Sequence, residues 1–115
     1  MSRRKNSTVT VESIRRDVGA WVVQDGEGDG AWNMFILHTV KDMMQDYAVT
    51  FQYLSQITKE QFDFVCEAMD EVVFHFQKIE LALLMEELYR KFYGENTQTD
   101  FYRDNIQGLR SCIKK

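Results

Sequence analysis

Asp25, Glu27, Asp29 and Gly30 stand where the first, third, fifth and sixth positions of a calcium-binding helix-loop-helix would fall. The twelfth position decides that chemistry. It should be a glutamate offering two oxygens, and here it is Ile36, so Asp25 to Gly30 reads as a glycine-rich loop that keeps at most weak cation affinity. Glu71 and His75, four apart and sharing a helical face, invite a metal reading together with Glu67 and Asp70. The carboxylate-bridged two-metal bundles, however, need a glutamate three residues before a histidine on two helices. Position 72 is a valine, and His38 has no such glutamate, so neither a metal nor another cofactor is expected. Neither histidine has a neighbouring base and nucleophile, and no Ser or Cys lies on the sharp glycine-flanked turn of a nucleophile elbow. Cys66 and Cys112 lack the spacing of a bridge or a metal knuckle and are expected to be reduced, with Cys66, beside Val65, acting as a small buried hydrophobe. Enzyme activity is not expected.

What remains is an acidic helical face. Glu60, Asp63, Glu67, Asp70 and Glu71 recur on one side of a helix, and Phe74 projects from among them. Carboxylates alone would give a solvated face. A large aromatic in their midst either packs beneath a neighbouring helix of the same chain or stands exposed as an anchor for a partner. As an anchor, it would be ringed by carboxylates that steer a basic partner and accept hydrogen bonds from Arg and Lys. These six residues are the candidate partner-binding set.

The opposite side of the same helix carries Phe62, Val65, Met69, Val72, Phe76, Ile79 and Leu83 in alternating steps of three and four, the stripe of a helix facing a core. Thr58-Lys59-Glu60-Gln61 has the pattern of a capping box and marks its start. The apolar pattern continues to Phe92, and after Leu83 its register moves toward Leu81, Leu84, Leu88 and Phe92, so the region 59–93 is expected to bend or break near 78–80. Tyr93-Gly94 supplies the C-terminal stop. Upstream, a first helix begins near Thr8 or Thr10 and carries Val11, Ile14, Val18, Trp21 and Val22 inward. Gly19 weakens it, and Trp21 would offset the loss if buried. The glycine-rich loop ends that helix. A second helix places Trp32, Phe35, Ile36, Val40, Met43 and Tyr47 in register and continues toward Phe51 and Leu54, although the alternation of Val49, Phe51 and Tyr53 also suits a short extended stretch. A last helix turns Tyr102, Ile106, Leu109 and Ile113 inward. Residues 1–7 are polar and charged and expected to be disordered. The sequence therefore predicts an all-α single domain, a compact bundle of four to five helices.

Composition agrees, since 115 residues with no proline, six glycines and 44% hydrophobic side chains give one core and few breaks. Net charge is −4, but its distribution says more. Residues 25–100 hold fifteen acids against five bases, whereas the two ends hold three acids against nine bases. An acidic centre repels nucleic acid and membrane surfaces and attracts basic partners. The basic ends, with Arg3, Arg4, Lys5, Arg15, Arg16, Arg110, Lys114 and Lys115, could touch phosphate, but a DNA-reading helix would be basic where the central helix here is acidic. Neither a signal-peptide run nor an apolar segment of membrane-spanning length is present, so a cytoplasmic address is expected.

The acidic and aromatic texture of Met69-Asp70-Glu71-Val72-Val73-Phe74-His75-Phe76 and of Leu88-Tyr89-Arg90-Lys91-Phe92-Tyr93-Gly94, in a small chain without catalytic residues, resembles the acidic helical immunity proteins that bacteria encode beside contact-dependent and other polymorphic toxins. The resemblance is one of type and carries no defining motif. It implies a cognate partner, commonly a basic nuclease domain, whose active or substrate site is covered by the acidic surface. Two alternatives stay open: a phage or mobile-element inhibitor that mimics nucleic acid, and a homo-oligomer in which the stripe from Phe62 to Leu83 pairs with a second copy.

Overall fold

Thr10 opens the first helix by accepting the Ser13 amide on its hydroxyl at 3.0 Å, while the Ser13 hydroxyl accepts the Thr10 amide at 3.0 Å. The computed structural model describes residues 9–24 and 29–114, and within them the backbone forms six helices and no strand. They are α1 (Val11–Gln24), α2 (29–43), α3 (Tyr47–Ser55), α4 (59–76), α5 (Ile79–Tyr93) and α6 (Asp100–Asn105), followed by a 3-10 turn at Arg110–Cys112. The all-α expectation holds, but the count exceeds four to five. Asp46 is the reason in the first half of the chain. Its backbone is extended and its carboxylate accepts the Val49 amide at 3.0 Å, so a new helix starts where one continuous helix was expected. The stretch around Val49, Phe51 and Tyr53 is helical, with Thr50, Tyr53 and Leu54 buried. The expected loop Asp25–Gly30 is shortened from its far end, because α2 already begins at Asp29, and residues 25–28 lie outside the described residues. The expectation of disorder at residues 1–7 lies outside them as well.

The middle of α2, Phe35–Val40, is wound as a π-helix. The wider turn brings Phe35, Thr39 and Val40 inward together with Met43. Trp21 donates its indole N–H to the Thr39 hydroxyl at 2.8 Å, which ties α1 to this segment. Ile14 and Val18 are buried, and Val11, Trp21 and Val22 pack partly buried beside them, as the sequence pattern predicts.

Thr58 caps α4 by accepting the Gln61 amide at 3.3 Å, but the reciprocal half of the box does not form. The Gln61 side chain instead accepts the Tyr53 hydroxyl at 2.6 Å and donates to the Arg15 carbonyl at 3.4 Å, joining α3, α4 and α1. Gly19 makes room for it. A Cβ at that position would stand 3.3 Å from Gln61 Nε2, so the glycine that weakens α1 locally also lets α4 approach it.

Phe62, Val65, Met69 and Val72 are sealed in the core, and Phe76 packs at its edge. Ile79 and Leu83, expected on the same stripe, are 40% and 39% exposed. The cause is the break between α4 and α5. Gln77 adopts the left-handed conformation (φ 56°, ψ 40°) and Lys78 is extended, so α5 leaves at a new angle and turns Leu81, Ala82, Met85, Leu88 and Tyr89 inward instead. The predicted break thus lies one residue earlier than 78–80. Gly94 (φ 92°) then stops α5, its amide donating to the Arg90 carbonyl at 2.9 Å.

The C-terminal segment returns across α4 and α5 and is held by three polar anchors. Tyr89, buried, donates its hydroxyl to the Asn96 carbonyl at 2.7 Å and accepts from the Thr99 hydroxyl at 2.7 Å. Glu86, nearly buried, takes both arms of the Arg110 guanidinium at 2.7 and 2.9 Å. Gln77 donates to the Phe74 and Cys112 carbonyls at 2.7 and 2.8 Å and accepts the Lys114 amide at 2.7 Å. Ile106 and Leu109 complete the core beneath this segment, with Tyr102 and Ile113 half-buried at its border. Among the described residues no helix is long and apolar enough to cross a membrane.

Candidate protein-docking face

The outer side of α4 collects the six residues singled out by sequence. Glu60, Glu67, Asp70 and Glu71 are exposed, and Phe74 keeps 56% of its surface in water. The ring is therefore not covered by a neighbouring helix. Gln77, whose side chain bonds the Phe74 carbonyl, closes the helix just beyond it and fixes the backbone that carries the ring. An aromatic that remains half in water at a rigid helix end loses little conformational freedom when a partner covers it.

Asp63 differs from the other four carboxylates. It accepts a hydrogen bond from the Tyr93 hydroxyl and lies 3.5 Å from Lys59 Nζ, while Lys59 also sits 4.5 Å above the Tyr93 ring. Burial pushes the Tyr93 hydroxyl up from its ordinary range, with the Asp63 carboxylate adding to it. Asp63 thus joins α4 to the end of α5 and is neutralised within the chain. Glu60, Glu67, Asp70 and Glu71 make no ion pair among the described residues.

The sequence did not reveal the second wall. Glu67 and Asp70 form one bank of a cleft of about 250 Å³, and Asp104, Asn105, Gly108, Leu109 and Cys112 form the other, with Cys66 also in the lining. Only the fold brings Asp104 to this place, because its position depends on how Gln77, Glu86 and Tyr89 anchor the returning segment. Both cysteines are free. Burial raises the Cys66 thiol far above its ordinary range, Asp63 and Glu67 adding to the effect, so it is the inert hydrophobe expected. The Cys112 thiol is also raised, by burial and then by Asp70, which matches the place of both residues on one cleft.

Chemistry elsewhere is sparse. His38 and His75 are exposed, and His75 stands edge-on to Phe76 at 4.9 Å. Asp42 is held above its ordinary range by burial and by Asp17, with His38 acting in the opposite direction, a surface grouping across α1 and α2. No group of three or more potential metal ligands converges among the described residues. The basic residues of the ends that are described are partly engaged: Arg110 with Glu86, and Arg15 with Glu12 and the Gln56 side chain, the latter at 2.8 Å. Arg3, Arg4, Lys5 and Lys115 lie outside the described residues.

In comparisons with known proteins the chain matches no family model, no curated protein and no solved structure.

Proposed function

We propose that the chain is a non-catalytic, cytoplasmic binding protein that neutralises a cognate basic toxin, a nuclease domain, by laying the outer face of α4 over its active or substrate site. The observation that carries this reading is the exposed Phe74 ring among carboxylates of which four, Glu60, Glu67, Asp70 and Glu71, make no ion pair among the described residues. A protein that cleaves a polyphosphate must present positive charge, and a carboxylate-rich surface can occupy that site in place of phosphate. Glu60, Glu67, Asp70 and Glu71 would steer the encounter, and Phe74 would slow release. Asp63 stays in the predicted set, but its bonds to Tyr93 and Lys59 give it a bracing role.

Of the alternatives, the homo-oligomer built on the stripe from Phe62 to Leu83 gains no support, because Phe62, Val65, Met69 and Val72 are spent on the chain's own core. A nucleic-acid mimic would use the same acidic face, and the identity of the partner distinguishes it. The decisive experiment expresses the neighbouring reading frame with and without this chain. Growth arrest relieved by the wild-type chain, and not by one with Glu67, Asp70 and Glu71 changed to lysine, is the expected result. Equal relief by both chains would exclude the acidic face as the neutralising surface.

A further inference from the structure

Residues 95–114 lie on the helical body without being woven into its backbone. Among the described residues, their backbone-to-backbone hydrogen bonds all close within the segment, as from Arg103 to Thr99, Ile106 to Tyr102 and Cys112 to Leu109. The hydrogen bonds that cross to the body all use the side chains of Gln77, Glu86 or Tyr89. The apolar attachment is narrow as well. Ile106 and Leu109 are the buried residues of the segment, while Phe101 and Tyr102 rest half-buried against Phe62, Tyr89 and Tyr93. Glu95, Asn96, Thr97 and Gln98, which join the segment to α5, are exposed, and Gly94 before them has a positive φ. A unit with few buried side chains and self-contained backbone bonding opens at a lower free energy than the core beneath it.

We infer that residues 95–114 form a strap that swings away as one unit about the hinge 94–98 while α1 to α5 stay folded. Opening uncovers Cys66, which is 2% exposed with the strap closed and lines the cleft together with Gly108, Leu109 and Cys112 of the strap. It also carries Asp104 away from α4. Glu60, Glu67, Asp70, Glu71 and Phe74 remain on their helix, so the strap is independent of whether that face docks a partner.

The latch is the pair of Arg110 with Glu86. The Glu86 carboxylate is nearly buried, whereas the Arg110 side chain that reaches it remains largely exposed. With the strap closed, the guanidinium compensates the carboxylate for its lost water, and with the strap open that water returns. Loss of the guanidinium therefore favours the open form.

The test follows alkylation of Cys66 by iodoacetamide in the full chain across low urea concentrations, with Cys66 and Cys112 distinguished by peptide mass spectrometry. The expected result is labelling faster than global unfolding permits, with a shallow urea dependence, because opening the strap exposes only a fraction of the surface that unfolding exposes. Arg110→Ala should speed Cys66 labelling about tenfold, the equivalent of one charge-assisted hydrogen bond. Thr58→Ala weakens the start of α4 equally in the open and closed forms, so it should lower the urea midpoint and leave the labelling rate unchanged. In wild type, hydrogen exchange gives a second reading: a detached segment this short does not hold its helical turns, so the Ile106 and Leu109 amides should exchange together and before those of Val72 and Leu88. Cys66 labelling with the urea dependence of global unfolding would overturn the inference. So would a rate insensitive to Arg110→Ala, equal acceleration by Thr58→Ala, or exchange of the Ile106 and Leu109 amides only in step with Val72 and Leu88.

Discussion

Gln77 closes the helix that carries this face and ties it to the returning C-terminal segment, and its replacement separates two opposing effects. Its backbone is left-handed, a conformation that costs a residue bearing a Cβ roughly 1–2 kcal/mol. Its side chain makes three hydrogen bonds, to the Phe74 and Cys112 carbonyls and from the Lys114 amide. At about 0.5–1 kcal/mol each for partly exposed bonds, the set is worth about 2 kcal/mol. Gln77→Ala keeps the backbone strain and loses the bonds, so it should destabilise by about 2 kcal/mol. Gln77→Gly loses the same bonds but relieves the strain, and about 0.5–1 kcal/mol of that gain is offset by the greater freedom of glycine in the unfolded chain. The glycine variant should therefore be the more stable of the two by roughly 0.5–1 kcal/mol, although both fall below wild type. Urea denaturation followed by circular dichroism measures the difference. The same variants release the Cys112 carbonyl, so alkylation of the Cys112 thiol under native conditions should accelerate in both. An alanine variant at least as stable as the glycine variant would refute the strain argument. Unchanged Cys112 reactivity would refute the claim that Gln77 anchors the returning segment.

Further outcomes follow from the core and the caps. Phe62→Ala, at a site packed against Phe92 and Phe101, should cost about 3–5 kcal/mol, seen as a collapse of the urea midpoint. Thr58→Ala should cost about 1 kcal/mol through loss of the α4 cap, measured in the same way. The Cys66 thiol is raised in the fold, so above its ordinary value of 9.0 the unfolded chain releases a proton that the folded chain retains. Stability should accordingly fall with rising pH above about 9, by up to about 1.4 kcal/mol per pH unit, and Cys66→Ala should flatten the first part of that decline. Tyr53, whose hydroxyl burial also raises, extends the fall above its ordinary value of 10.0.

The sequence made the helices legible because the apolar spacing of α1, α2 and the first part of α4 is imposed by burial against one core, and burial is what those stripes record. It also marked Thr58, Tyr93 and Gly94 as boundaries, since caps are local chemistry. Asp46 is a cap of the same kind, but the apolar pattern runs across it and concealed the start of α3. Ile79 and Leu83 misled for a related reason: the stripe stays in phase through residue 83, whereas the chain changes direction at Gln77, a residue type with no sequence preference for a left-handed turn. The π-wound turn at Phe35–Val40 leaves no mark in periodicity because it re-phases the helix by only one residue. Among the site residues, those on α4 could be placed on one face by helical spacing. Asp104, Gly108 and Cys112 could not, as their approach to Glu67 and Asp70 depends on long-range anchors at Glu86, Tyr89 and Gln77. The capping-box reading of Gln61 failed because two distant groups, the Tyr53 hydroxyl and the Arg15 carbonyl, compete for the same side chain and win.

On the proposed reading, the outer face of α4 captures a basic protein by charge and holds it by Phe74. Binding kinetics with the basic partner that co-purifies from the native host test this most directly, measured across ionic strength for wild type, for the Glu67, Asp70 and Glu71 to lysine triple variant, and for Phe74→Ala. The triple variant should associate more slowly and with a shallower salt dependence, and Phe74→Ala should dissociate faster with nearly unchanged association. Rates equal to wild type in both variants would contradict it.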